Sequence, residues 1–285
     1  MGLNYTIRCK LRQFLLKVRF LLSAKRPILY SLRPKIRFIA FSDNVNSKDI
    51  YTKRSYEDRE IEWCINWLRN GDSFIDCGAN IGYFCACLSQ SIKLENVIAI
   101  EGNKKCALTC EETFDKLGLK GIETINQILH SNDLDSLEIN DLPGKEGLQY
   151  AKRIESGTSD VQATTLDQIT TIRGISPSLV KVDCEGAETE ILKGSHNLLT
   201  KVRPAWVIEV NDEALNRAES SRLQLFSLLR ENRYLLFHIS SAFQDIPFGL
   251  EIDDGFQSWS FNLAAIPMEQ PALDRWHSSR IPSGP

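Results

Sequence analysis

The chain has 285 residues, 42% of them hydrophobic, with 34 Lys and Arg against 37 Asp and Glu for a net charge of −3. That is enough to bury a full core as one domain with additions, and no run of about 18 apolar residues marks a membrane span. The charge is unevenly placed. Residues 1–42 hold ten of the basic side chains and no acid, and taking those ten from the 34 leaves 24 basic against 37 acidic groups, a net −13. A body of that sign repels phosphate backbones, so nucleic acid is not expected as its substrate, and only the leading segment suits a polyanion.

The leading segment, 1–42, reads as a basic amphipathic extension. Ile7, Leu11, Phe14, Leu15, Val18, Leu21 and Leu22 recur at helical spacing among Arg8, Arg12, Lys17 and Arg19. Two readings stay open: an interfacial helix in peripheral contact with a membrane, or a helix docked on the protein's own surface. The segment lacks the uninterrupted apolar core and small-residue cleavage site of a secretory signal, so a cytoplasmic protein is expected. Eight cysteines fit that compartment as reduced, buried thiols. Cys85 and Cys87 are one residue apart and Cys106 and Cys110 four apart, and neither pair has a histidine at zinc-ligand spacing, so no metal is expected.

From about residue 57 helix and strand alternate. "EDREIEWCINWLRNG" predicts a helix ending near Gly71, "SFID" a short buried strand, and "IGYFCACLSQSI" the next helix. "NVIAI", "NKKCALTCEETFDKLG" and "GIETIN" continue as strand, helix and strand. The rhythm breaks from about 130 to 170, a polar, turn-rich stretch read as loops with a short strand pair. It resumes with "SLVKVD", "GAETEILKGSHNLL", "PAWVIEV" and "SRLQLFSLLRENR", followed by a terminal strand pair, "YLLFHI" and "FNLAAIP". Short apolar strands separated by helices indicate parallel β-α-β units and an α/β fold, mostly parallel with a terminal antiparallel strand. The expected domains are the extension at 1–42, a catalytic domain at 43–268 and a loose tail at 269–285.

In an open parallel sheet, ligands bind beyond the carboxyl ends of the strands. Four strands here end in an acid: Asp76, Glu101, Asp183 and Glu209. One such acid is readily a helix cap, whereas four on one edge point to a polyhydroxylated or cationic ligand. The turn "DCGANIG" narrows the choice. A dinucleotide fingerprint needs three glycines, and this turn supplies Gly78 and Gly82 with Ala79 and Asn80 between them, which argues against a nicotinamide oxidoreductase. Asp76 repels phosphate but suits an ammonium or sulfonium, and Glu101, 25 residues on, can accept two hydrogen bonds from a ribose diol. A cationic nucleoside without phosphate fits both, and S-adenosyl-L-methionine is such a molecule.

Over roughly residues 50–267 the chain resembles the FkbM-type S-adenosylmethionine-dependent methyltransferases. The resemblance rests on "FIDCGANIGYF", "VIAIEGN", "TTLDQI" and "LVKVDCEGAETEILKGS" followed by "RPAWVIEV". It implies a Rossmann-like class I methyltransferase sheet with helices on both faces. It also implies cofactor contacts from Asp76, Gly78, Asn80, Gly82, Glu101 and Asn103, and a catalytic role for Asp183 or Glu185 as the base toward a hydroxyl of a small-molecule or glycan acceptor. Lys181 is expected as a partner for a nearby acid, Glu188 as a first-turn dipole partner or a site residue, and Asp167 as a border of the acceptor pocket or a cap ahead of "QITTI". The four histidines are read as structural. The alternative to an enzyme is a catalytically inactive Rossmann-like binding protein at a membrane surface.

Overall fold

The structure is a computed structural model and describes residues 2–23, 26–41, 44–132, 137–142, 145–153, 163–240 and 246–280. The chain opens with helix α1 (Gly2–Leu22), a hairpin of β1 (Ile28–Arg33) and β2 (Ile36–Ala40), and helices α2 (Val45–Lys53) and α3 (Asp58–Trp67). The alternating part follows: β3 (Ser73–Cys77), α4 (Tyr83–Ser89), β4 (Asn96–Ile100), α5 (Lys104–Leu117) and β5 (Ile122–Ile125). Two short strands, β6 (Ile128–Leu129) and β9 (Ala163–Thr164), pair in parallel and bracket an antiparallel pair, β7 (Leu137–Leu142) and β8 (Lys145–Arg153). The second half runs α6 (Leu166–Arg173), β10 (Leu179–Val182), α7 (Glu188–Lys193), β11 (Ala205–Asn211), α8 (Asp212–Arg217), α9 (Arg222–Glu231), β12 (Tyr234–His238), β13 (Ser260–Pro267) and α10 (Gln270–Ser279).

Seven strands form one sheet in the order β12-β13-β11-β10-β3-β4-β5. Neighbours are parallel except at β13, which runs antiparallel to both β11 and β12. The expected terminal pair is therefore present, with the last strand inserted between its predecessor and β11. The chain starts in the middle at β3, moves out to β5, then returns to lay β10 on the other side of β3. Strand order reverses at that β3/β10 seam, which is where an open sheet holds a ligand.

Alternation along the strands decides which groups reach which layer. Phe74, Leu179, Ala205 and Val207 pack with α3, α4, α5 and α10, whereas Ile75, Cys77, Val180, Val182 and Ile208 pack with α6, α7 and α9. By the same alternation Asp76, Lys181 and Glu209 belong to the α3/α4 side. Three ionisable groups thus occupy positions at which the preceding turns of the pattern are apolar.

Local chemistry accounts for the element ends. Asn103 caps α5 by accepting from the Cys106 N–H at 2.9 Å, and Thr165 with Gln168 forms a reciprocal box at the start of α6. Helix α3 stops at Trp67, four residues before Gly71, where Leu68 turns to an extended conformation; Arg275 Nε satisfies the free Trp67 carbonyl at 2.6 Å and its guanidinium also pairs with Asp72. The predicted helix after β10 is divided at Gly194, where an added Cβ would lie 2.3 Å from the His130 carbonyl oxygen; a short wide-turned segment, Leu198–Val202, follows.

Both chain ends contribute to the core. Tyr30, Phe38 and Ile39 of the hairpin are buried among α2 and α4 residues. The segment expected as a loose tail contains α10, whose Trp276 is buried and stacks on Phe237 with ring centroids 4.3 Å apart.

Candidate active site

A cleft of about 370 Å³ opens at the carboxyl ends of β3, β4, β10 and β11. Asp76, Gly78, Asn80, Glu101, Asn103, Asp183 and Glu185 all line it, so the residues singled out in the sequence converge in space. Gly82 is the exception. It lies behind the wall, and a Cβ there would come within 2.6 Å of the Phe114 ring, so its role is to let α4 and α5 pack.

The glycine turn is fixed by backbone proximity. Gly78 and Ala79 both donate to the Ile100 carbonyl, at 2.9 and 3.1 Å, and Asp183 N donates to the Cys77 carbonyl at 3.0 Å. A Cβ on Gly78 would fall 1.9 Å from the Asp183 carbonyl oxygen, and φ there is +81°. Only glycine satisfies both conditions. Asn80 has φ +52°, a left-handed conformation that Asn tolerates better than most side chains. Its N–H donates to Glu101 Oε2 at 2.8 Å, while the Asn103 N–H donates to Oε1, also at 2.8 Å. Glu101 is therefore braced by two backbone amides, and each oxygen keeps a second lone-pair direction for a ligand hydroxyl. Asn103 lines the cleft, but its side-chain oxygen is committed to the α5 cap.

Asp76 is 1% exposed, and its Oδ1 accepts no hydrogen bond; the Cys85 thiol donates to Oδ2 at 3.6 Å. Burial pushes its carboxyl up to about 6, against a counter-pull from Lys181. A buried carboxylate oxygen without a donor, on the wall of a cleft, fits a ligand that carries an ammonium group. The methionine end of S-adenosylmethionine has one, Glu101 suits its ribose, and Gly78 leaves the backbone bare beside them. The residues present fit this cofactor.

The other half of the cleft is acidic and built around one cation. Lys181, 4% exposed, is in register with Asp76, donates to Asp183 Oδ2 at 2.7 Å and lies 4.7 Å from the centre of the Phe84 ring. Burial alone would lower its affinity for a proton, yet the charges of Asp183, Asp76 and Glu57 hold it well above its ordinary range. Burial likewise works against the Asp183 charge, but the Lys181 ammonium and hydrogen bonds from Lys181 and Glu209 overcome it and keep Asp183 below the usual carboxylate range. Glu209 moves the opposite way, raised by burial and by the Asp183 charge. The two carboxyls are thus driven apart, Asp183 toward the charged form and Glu209 toward the neutral one.

Glu185 is placed differently. It sits at φ +51° on the cleft wall with its carboxylate 4.0 Å from Arg217. Glu188 does not line the cleft: its Oε1 accepts from the N–H groups of Cys184 and Gly186, at 2.9 and 3.2 Å, and so holds the turn that carries Asp183 and Glu185. Asp167 also leaves the site. Its two oxygens accept from the N–H groups of Asn197 and Leu198, which caps the segment after Gly194; neither the pocket border nor the cap ahead of "QITTI" is its role.

Sequence reasoning missed Glu57 and Tyr56. Glu57 lies just before α3 at φ +46°, lines the cleft, and leaves Oε2 buried without a partner; burial raises its carboxyl to about 8. It follows no strand, so the rule of strand-terminal acids passes over it. Of the histidines, His130 lies 3.8 Å from Glu190 and His238 is buried with Nδ1 3.4 Å from the Pro247 carbonyl, and neither lines the cleft.

Residues 76–236 match the family described as the methyltransferase FkbM domain, more than half of the chain. No curated protein matches the sequence. Among solved structures, a methyltransferase FkbM from Methylobacillus flagellatus KT aligns with a TM-score of 0.45 and 18% identity over 70% of this chain and 44% of that one. This chain thus spans less than half the length of that protein. An S-adenosylmethionine-dependent methyltransferase from Aquifex aeolicus aligns at 0.41 and 16% identity, covering 73% and 88%. TrmK from M. capricolum, solved with S-adenosyl-homocysteine, aligns at 0.42 and 17%, covering 72% and 66%.

Proposed function

Because the chain belongs to the FkbM family of methyltransferases, we propose that it methylates a hydroxyl of a small-molecule or glycan acceptor held in the acidic half of the cleft. Asp76 and Glu101, with the bare backbone at Gly78, would hold S-adenosylmethionine at its ammonium and ribose ends. The cofactor supplies a methyl group on a positively charged sulfur, which needs no further activation.

The observation that carries the proposal is the Lys181–Asp183–Glu209 arrangement. Asp183 is ionised, faces the cleft and keeps acceptor capacity beyond its bond to Lys181. A hydroxyl donating to Asp183 has its oxygen lone pairs turned outward, and alignment of that kind contributes much of what a transfer of this sort requires. As the new O–C bond forms the hydroxyl proton becomes strongly acidic, so even a carboxylate of low proton affinity can take it. Asp183 is thus the base; Glu185, paired with Arg217 on the cleft wall, orients the acceptor. Tyr83 and Phe84 close the inner wall against water.

The test uses cofactor labelled in the methyl group, incubated with the protein and with fractionated glycan and small-molecule extracts. Label in a methyl ether supports the proposal. Label on nitrogen or carbon, or cofactor binding without transfer to any fraction, favours another acceptor class or the non-catalytic alternative.

A further inference from the structure

Helix α1 touches the body along one narrow face. Phe20 is buried against Tyr51, with ring centroids 5.8 Å apart, and Leu16 packs beside the same core. At 3.6 residues per turn the opposite face carries Leu11, Phe14, Leu15 and Leu22, all exposed, with Val18 between them. Leu22 is 76% exposed and Leu21, at the edge of the stripe, 73%. Arg12 and Arg19 border the stripe on one side, Lys10 and Lys17 on the other, and all four are exposed. An open groove beneath its C-terminal half is walled by Leu15, Val18, Leu22 and Ile28, with Arg19 and Arg26 at its rim.

We propose that α1 is an interfacial helix that seats the protein on an anionic lipid bilayer. Docking on the body and facing a membrane are compatible here, because the two contacts use opposite sides of the helix. The apolar stripe is flanked by cations on both sides, the arrangement of a helix lying in the plane of a charged interface. Charge complementarity selects the partner. Residues 1–42 have no acidic side chain, while the rest of the chain carries a net −13, so an anionic surface draws this end toward it and repels the remainder. No helix among the described residues is long and apolar enough to cross a membrane, so the contact is peripheral.

Co-sedimentation of the whole chain with vesicles tests this independently of any methyl transfer. Vesicles with about one third phosphatidylserine should bind at least tenfold more tightly than pure phosphatidylcholine. The difference should collapse between 0.1 and 1 M salt, over which the screening length falls from about 10 Å to about 3 Å. L15E/L22E should abolish binding, and R12E/R19E should remove the preference for anionic lipid, both with melting temperatures close to wild type because these side chains are exposed. Equal binding to both vesicle types, or wild-type binding by L15E/L22E, overturns the proposal. So does self-association lost in L15E/L22E without lipid binding, which would assign the stripe to a second copy of the chain.

Discussion

Lys181 on β10 stands in register with Asp76 on β3, so one buried ammonium lies between the Asp76 carboxyl and Asp183, to which it donates. Replacing it by Met leaves both acids without their cation. Removing one partner of a buried pair costs about 3–5 kcal/mol. Lys181→Met should therefore lower unfolding free energy by an amount in that range at pH 8. The loss should shrink toward pH 5, where the orphaned acids protonate instead of staying charged. An equal loss at both pH values in urea titrations would contradict this.

If Asp76 takes the cofactor ammonium as proposed, cofactor affinity depends on pH. Its folded carboxyl is raised to about 6 by burial, so the protonated form is the one folding favours; that contribution is present at low pH and lost as pH rises through about 6. An ammonium ligand needs the ionised form. Affinity for S-adenosylhomocysteine should therefore weaken below pH 6, approaching tenfold per pH unit, with proton release on binding. Burial also raises Glu188 to about 7 and Glu57 to about 8, so the difference between wild type and Asp76→Asn, whose weak binding should lack the loss below pH 6, isolates the Asp76 contribution in calorimetry.

Gly78→Ala tests the cradle. The added methyl meets the Asp183 carbonyl, and φ is in the left-handed range, so the turn must move. A loss of about 2 kcal/mol or more in stability is expected, with S-adenosylhomocysteine affinity reduced at least tenfold. Gly174→Ala is the control: its Cβ would meet open space, and any effect there comes from φ alone.

Much of this site was legible because strand ends are legible. Short apolar runs closed by Asp76, Glu101, Asp183 and Glu209 placed four acids on one edge before any geometry was known, and the Gly78 turn pointed away from a pyrophosphate. Glu57 was invisible because its place in the cleft comes from a left-handed residue ahead of α3, with no periodic signal. Gly82, Asp167 and Glu188 share motifs with site residues but serve packing and backbone capping, a distinction only three-dimensional neighbours reveal. The hairpin at 28–40 and α10 fell outside the expected domain because their burial depends on partners distant in sequence, α4 and α5 for one and α3 and Phe237 for the other.

Glu101→Ala removes the proposed ribose acceptor together with the brace between the Asn80 and Asn103 amides. Charge-assisted hydrogen bonds of this kind are worth about 1.5–3 kcal/mol, so cofactor affinity should fall by that amount, with no binding of NAD in either form. Unchanged affinity would remove Glu101 from the cofactor site.

The most direct measurement is single-turnover methyl transfer to the identified acceptor by wild type and Asp183→Asn, with S-adenosylhomocysteine affinity measured on the same preparations. Asn keeps the shape and the capacity to accept one hydrogen bond, and loses the charge and the proton-accepting oxygen. The predicted result is a rate at least about 100-fold lower, with cofactor affinity within a few-fold of wild type, as expected when a positioned base is removed. Transfer by Asp183→Asn at the wild-type rate would show that the proton leaves by another route, and that the Lys181–Asp183–Glu209 arrangement is not the catalytic centre.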